Sequence, residues 1–285
     1  MEHRQNFISF SKMHGAGNDY IYIDATKEIP SDLSGLAIKM SDVHFGIGSD
    51  GLVAIMLSDV ADFRMRMFNS DGSEAEMCGN ASRCVAKYVY EKGLTDSRTV
   101  TLETLAGIKI LHLDVVDGKV VSVTVDMGAP EIRPDRIPVA SSDPEKKVSE
   151  LETVAGFSYP ITGVSMGNPH GIIFVDEITD KQVLGEGPLL EVADIFPRKA
   201  NIEFARVIDP NTIEMRVWER GTGETLACGT GACATAVAAV LNGLTERKVE
   251  MRLRGGTLHI FWDPETGHVL MTGPAAFICD GNFYL

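Results

Sequence analysis

Alternating and β-branched runs recur along this chain in two series, interrupted at matching places by stretches with a helical apolar period. In the first half the alternation predicts strands near residues 5–13, 19–24, 51–57 and 62–69, and again at 98–103, 107–115 and 119–126. A 3.6-residue period predicts helices near 32–42 and 79–92. The second half repeats the order, with helices near 180–192 and 229–243 and strands including 171–176, 201–208, 212–219, 248–253, 256–262 and 268–272. Short polar turns such as "VDGK" favour antiparallel or mixed sheets over a doubly wound parallel fold. The run "ACATAVAAVLNG" is apolar nearly all round, so its helix belongs inside rather than on the surface. The pattern therefore predicts an α+β class with two pseudo-symmetric repeats, each a mixed or antiparallel sheet wrapped around a central helix.

Sliding the sequence by 150 residues makes the repeat explicit. "FRMRMFNSDGSEAEMCG" (63–79) falls on "IEMRVWERGTGETLACG" (213–229), pairing Met65 with Met215, Arg66 with Arg216, Glu74 with Glu224 and Cys78-Gly79 with Cys228-Gly229. The same shift pairs Gly17-Asn18 with Gly167-Asn168. The stretch 130–147, rich in proline and charge, reads as the hinge between the halves.

Composition narrows the partner. The 285 residues are 44% apolar and 23% charged, as in an ordinary globular protein, and the net charge of −14 argues against a nucleic-acid or anionic-membrane surface. A small-molecule substrate is expected. The N-terminus has no apolar segment of signal-peptide kind and no eighteen apolar residues run together, which predicts a cytoplasmic protein. Five cysteines, an odd number in a chain able to bury its own core, predict reduced thiols.

The repeated phrase Cys-Gly-(Asn/Thr) carries the candidate chemistry. Cys78 and Cys228 each stand where a polar, Gly-rich turn enters an apolar helix. A helix N-terminus presents unpaired N–H groups and partial positive charge, which favours a thiolate there over a free thiol with a pKa of about 8.5. The same amides, at Gly79-Asn80 and Gly229-Thr230, can hold a substrate carboxylate closely because glycine offers no side chain. Two such ends facing one carboxylate would flank its Cα, one sulfur removing the α-proton while the other delivers a proton from the opposite side. No dinucleotide-binding, P-loop or pyridoxal motif is visible, so no cofactor is expected. Preorganised donors would then supply the stabilisation, roughly 3 kcal/mol each.

Other readings of these residues stand beside this one. Cys84 and Cys233 read as packing residues, and a zinc site would require tighter spacing than C-x5-C and C-x4-C, so no metal is expected. A thiol redox or zinc-binding module is the alternative from another class. His170 is equally an ordinary polar residue at a strand start, Glu219-Arg220 a solvated pair, and Asn18, Asn69, Asn168 and Asn201 turn residues. Arg220 beside a Gly-rich turn would also serve as a carboxylate clamp.

Taken together, "FSKMHGAGNDY", "FNSDGSEAEMCGNASRC", "VSMGNPH" and "ERGTGETLACGTGACA" resemble the diaminopimelate epimerases, from about residue 10 to "MTGPA" at 271–275. The resemblance implies interconversion of LL- and meso-2,6-diaminopimelate without pyridoxal phosphate, on the route to lysine and peptidoglycan. It implies Cys78 and Cys228 as acid and base, with His170 and Glu219 tuning the site. It further implies that Gly79, Asn80, Gly229 and Thr230 hold the reacting carboxylate, and that Asn18, Asn69, Asn168, Asn201, Glu219 and Arg220 bind substrate. The last strand would return to the first lobe, giving lobes 1–128 plus 274–285 and 129–273 with the active site in the cleft, and the protein would be a homodimer. Three departures touch those expectations: Gly51 where some members carry Gln, "GNASR" where some read "GNGAR", and Cys279 where some place a Tyr linked to dimer formation. The nearest rival is a proline or hydroxyproline racemase, which shares paired Cys-Gly blocks but not this polar set.

Overall fold

A computed structural model of the chain describes residues 7–140, 156 and 159–285. Two compact units emerge: one runs to Val125 and is completed by Gly273–Leu285, the other is Asp126–Thr272.

In the first unit, β1 (Phe7–Gly15) turns into β2 (Asn18–Asp24), and α1 (Leu33–Ser41) precedes β3 (Gly51–Met56), β4 (Phe63–Asn69) and the two-residue β5 (Glu74–Ala75). Then α2 (Gly79–Glu91) leads to β6 (Thr99–Thr104), β7 (Gly107–Val116) and β8 (Lys119–Asp126). The second unit contains β9 (Ile161–Ser165), β10 (Pro169–Phe174), a π-helical turn (Lys181–Glu186), α3 (Gly187–Glu191), β11 (Asn201–Asp209), β12 (Thr212–Glu219) and two-residue β13 (Gly223–Glu224). It closes with α4 (Gly229–Leu241), β14 (Lys248–Leu253), β15 (Gly256–Trp262) and β16 (Val269–Gly273). The final strand, β17 (Ala276–Tyr284), pairs antiparallel with β1.

Pairing follows the same plan twice. β2 is parallel to β3 as β10 is to β11, β3 antiparallel to β4 as β11 is to β12, and β4 parallel to β6 as β12 is to β14. Both sheets are thus mixed, as short turns with occasional crossovers require. Each wraps a 13-residue helix of which ten residues are buried, so α2 and α4 are interior elements. Their boundaries fall 150 residues apart, and both are closed by a glycine at positive φ, Gly93 and Gly243. The Arg66–Glu74 contact at 2.7 Å returns as Arg216–Glu224 at 2.8 Å, fastening each two-residue strand to its neighbour.

Three expectations change. The helix expected at 180–192 is a π-helical turn followed by five α residues, because Gly185, Gly187 and Pro188 interrupt the regular ladder and Trp218 packs against Gly187. The hinge expected at 130–147 does not run free over 130–140: Ile137 and Val139 are buried in the second unit's core with Ile161, Leu190, Phe196 and Phe204. Burial of about 1.5–3 kcal/mol per such side chain outweighs the loop signal of the prolines; residues 141–147 lie outside the described residues. β5, β13 and β9 escape the alternation pattern, the first two by brevity and β9 because all five of its residues are buried.

Candidate active site

In the first unit, β1 and β2 are joined by a two-residue turn with Ala16 at φ 55° and Gly17 at φ 84°, the left-handed pair a tight hairpin needs. This sets Asn18 at the head of β2. Cys78 caps α2 with extended backbone, and its Sγ donates to Asn18 Oδ1 at 3.3 Å. Asn80 Nδ2 reaches the same oxygen at 3.4 Å, while Asn18 Nδ2 donates to Asp50 Oδ2 at 2.6 Å. Beneath them Arg83, fully buried, donates to Asn80 Oδ1 at 2.8 Å and to the Pro274 carbonyl at 3.2 Å. Asn18, Cys78, Gly79 and Asn80 thus form one group. Asn69 stands at the end of β4, its amide donating to Ser73 Oγ at 3.0 Å.

Gly51 has a physical reason. It pairs with Asn69 across β3 and β4, and a Cβ there would stand 2.0 Å from the Phe68 carbonyl and 2.8 Å from the Tyr20 ring. A longer side chain at this position needs a different neighbourhood.

The second unit builds a group of another character. Cys228 caps α4, accepts the Gly231 N–H at 3.4 Å and lies 3.4 Å from Thr230 Oγ1. His170 Nδ1 is 2.6 Å from Glu203 Oε1, its Nε2 is 3.1 Å from Asn168 Oδ1, and both His170 and Glu203 are wholly buried. Asn201 Oδ1 accepts the Arg220 N–H at 2.7 Å, and the Arg220 guanidinium donates to the Arg198 carbonyl at 3.1 Å. Glu219 accepts from the Thr225 hydroxyl.

Electrostatics here correct one expectation. Burial, followed by the Glu219 and Glu203 carboxylates, pushes the Cys228 thiol well above its ordinary value and outweighs the Gly231 N–H and Thr230. The helix N-terminus alone does not make this sulfur a thiolate. Burial also raises the Glu219 carboxyl, against the opposing effects of Thr225, Cys228 and His170. Cys84 and Cys233 are fully buried, and burial raises the Cys84 thiol to about 11.

Sequence reasoning passed over Glu203 and Asp50. Glu203 was findable: it is a lone acid inside the apolar run "NIEFA", on a strand whose first five residues are all buried. Asp50 sits in a polar loop without such a signal. Among the described residues no group of three or more His, Cys, Asp or Glu side chains is arranged to hold a metal ion, and no helix is long and apolar enough to cross a membrane.

Comparison with known proteins matches residues 10–133 and 162–278 to the family model described as diaminopimelate epimerase. A diaminopimelate epimerase of Methanococcus maripaludis is 54% identical over 275 residues, covering 96% of this chain and 99% of that protein. One from Acetivibrio thermocellus is 55% identical, covering 96% and 98%. Among solved structures, a hydroxyproline epimerase from Agrobacterium vitis superposes with a TM-score of 0.67 at 15% identity, over 98% of this chain and 91% of that one. At that identity the likeness speaks for the fold alone.

Proposed function

This chain belongs to the diaminopimelate epimerase family, and from that premise we propose that it interconverts LL- and meso-2,6-diaminopimelate by proton transfer at one Cα between Cys78 and Cys228. The observation that carries the reading is the duplicated cap: two cysteines 150 residues apart, each on the first position before a buried 13-residue helix.

The amides of Gly79-Asn80 and Gly229-Thr230 hold the carboxylate of the reacting centre, where negative charge grows as the α-proton leaves. One sulfur acts as thiolate base and the other as thiol acid; one proton is shared between them, and each exchanges role when the reaction runs backwards. The chemistry requires both half-sites to close on one carbon. Glu219 and His170 tune the Cys228 half. Asn18, Asn69, Asn168, Asn201 and Arg220, with Glu219, offer donors and acceptors for an amino-acid terminus, and a substrate with a second zwitterionic end uses such a set where proline does not. The enzyme needs no cofactor or metal in this reading, and acts as a cytoplasmic homodimer.

Incubation of the protein with LL-diaminopimelate in D2O tests reaction and substrate together. Deuterium should enter Cα of the meso product, with proline left unlabelled. Product without solvent deuterium, or labelling of proline instead, overturns the reading.

A further inference from the structure

Glu203 has no counterpart in the first half. At the 150-residue offset its place is taken by Val53, also fully buried, and the place of Gly231 by Ala81. The two differences belong together. A Cβ on Gly231 would stand 2.6 Å from Glu203 Oε1 and 3.2 Å from Cys228 Sγ, so the second half has a carboxylate where the first has a valine and lacks the methyl that would crowd it. The first turn of α4 consequently lies between a buried carboxylate and the sulfur.

Glu203 uses Oε1 for His170 at 2.6 Å, and its Oε2 is buried with no hydrogen-bond partner among the described residues. Such a carboxylate is costly to bury, so its presence needs a compensating role. Among the described residues, Glu219 from β12, which is also hydrogen-bonded to Cys228, and Glu203 from β11 act on that sulfur, His170 from β10 acts on Glu219, and α4 brings the Thr230 hydroxyl and the Gly231 N–H. Although Glu203 is paired with His170, its carboxylate is what Gly231 faces.

We propose that Glu203 is a positioning residue for the Cys228 half-site: it anchors His170 and sets a carboxylate against the first turn of α4, so that Cys228 holds its proton in the ligand-free enzyme. This rests on the two-thiol reading above and deepens it. The Cys228 half-site then has a defined starting state, the thiol.

The test is site-resolved alkylation by iodoacetamide against pH, in the full chain and in Glu203→Gln. In the parent the Cys228 midpoint should lie above the free-thiol value of about 8.5. In Glu203→Gln it should fall by about one pH unit or more, raising the Cys228 rate near pH 8 about tenfold, while the Cys78 midpoint stays put. A Cys228 midpoint that stays put in Glu203→Gln overturns the proposal, as does equal movement of both cysteines; Glu203→Asp, which keeps the carboxylate, should leave the midpoint high, and an equal fall there marks loosening of the site and overturns the proposal as well. If Glu203→Gln does not fold, the parent decides: a Cys228 midpoint below about 8.5 is incompatible with the proposal. Epimerisation by Cys228→Ala measures the two-thiol reading separately, because retained activity there defeats that reading whatever the alkylation shows.

Discussion

The two half-sites share a backbone and differ in charge. Cys78 caps α2 above a fully buried guanidinium, Arg83, whose offset partner in the second half is Cys233. Cys228 caps α4 beside a fully buried carboxylate, Glu203, whose partner in the first half is Val53. Tyr20 stands where the second half has His170, and Asn69 where it has Glu219. The repeat therefore presents two equivalent helix ends, and the residues beneath them make the ends unequal. On the proposed two-thiol mechanism the pair would benefit from that inequality, since two identical sites would leave the resting protonation undefined.

The largest effect should come from removing either sulfur. Cys78→Ala and Cys228→Ala should each lower epimerisation on the order of 10³-fold or more, because on the proposed mechanism each deletes a general acid–base partner. Far-UV circular dichroism should be unchanged in both, since Cys78 is only partly buried and Cys228, though buried, stands at the cap of α4 rather than inside the helix. An active, folded Cys78→Ala or Cys228→Ala would break the comparison at its root.

Much of this arrangement was legible in the sequence, and the gaps have physical causes. The long alternating runs, both interior helices and the repeat offset could be read because burial enforces period on sequence. Residues 180–192 read as one helix because periodicity does not register how Gly185, Gly187 and Pro188 divide it. The burial of Ile137 and Val139 was hidden because proline and charge dominated their neighbourhood. At the site, the repeated Cys-Gly phrase marks both caps. The raised proton affinity of Cys228 was not visible there, because it comes from burial first and then from the Glu219 and Glu203 carboxylates, which only the folded chain brings to the cap of α4.

A middle-sized effect is expected where the halves differ by one methyl. Gly231→Ala forces a Cβ against Glu203 and Cys228, which should cost about 1–3 kcal/mol of stability, as overpacking does. Displacement of the sulfur should cost activity up to about 10²-fold. The mirror change, Ala81→Gly, should cost about 1 kcal/mol, the usual penalty for glycine in a helix, with little effect on turnover. Adding Glu203→Val to Gly231→Ala recreates the first half's own pair, so the double variant should be more stable in urea than the sum of the singles predicts by about 1 kcal/mol. Strict additivity would show that the two substitutions are unrelated.

The smallest expected effect concerns the repeated ion pair that fastens β5 and β13. Glu74 meets Arg66 with side chains 28% and 33% exposed, whereas Glu224, 10% exposed, is held by Arg216 at 2.8 Å and Arg254 at 2.7 Å. Hydrogen bonding to Arg66 lowers the Glu74 carboxyl; for Glu224 burial acts upward, but the bonds from Arg216 and Arg254 win and hold it below the usual range. A depressed folded-state pKa means that the stabilisation is present above the unfolded value, about 4.3, and is lost as pH falls through the folded value. Glu224→Gln should therefore cost about 1–2 kcal/mol at pH 7, as expected for lost bonds to charged groups. Glu74→Gln should cost about 0.5 kcal/mol, as solvent screening allows. Urea unfolding at pH 7 and at successively lower pH reads both: the Glu224→Gln deficit should begin to shrink below the unfolded value of about 4.3 and vanish only below the depressed folded value, where the parent's carboxylate is protonated too. Equal costs at the two positions would mean that this part of the repeat has not diverged, leaving the asymmetry confined to the residues beneath the cysteines.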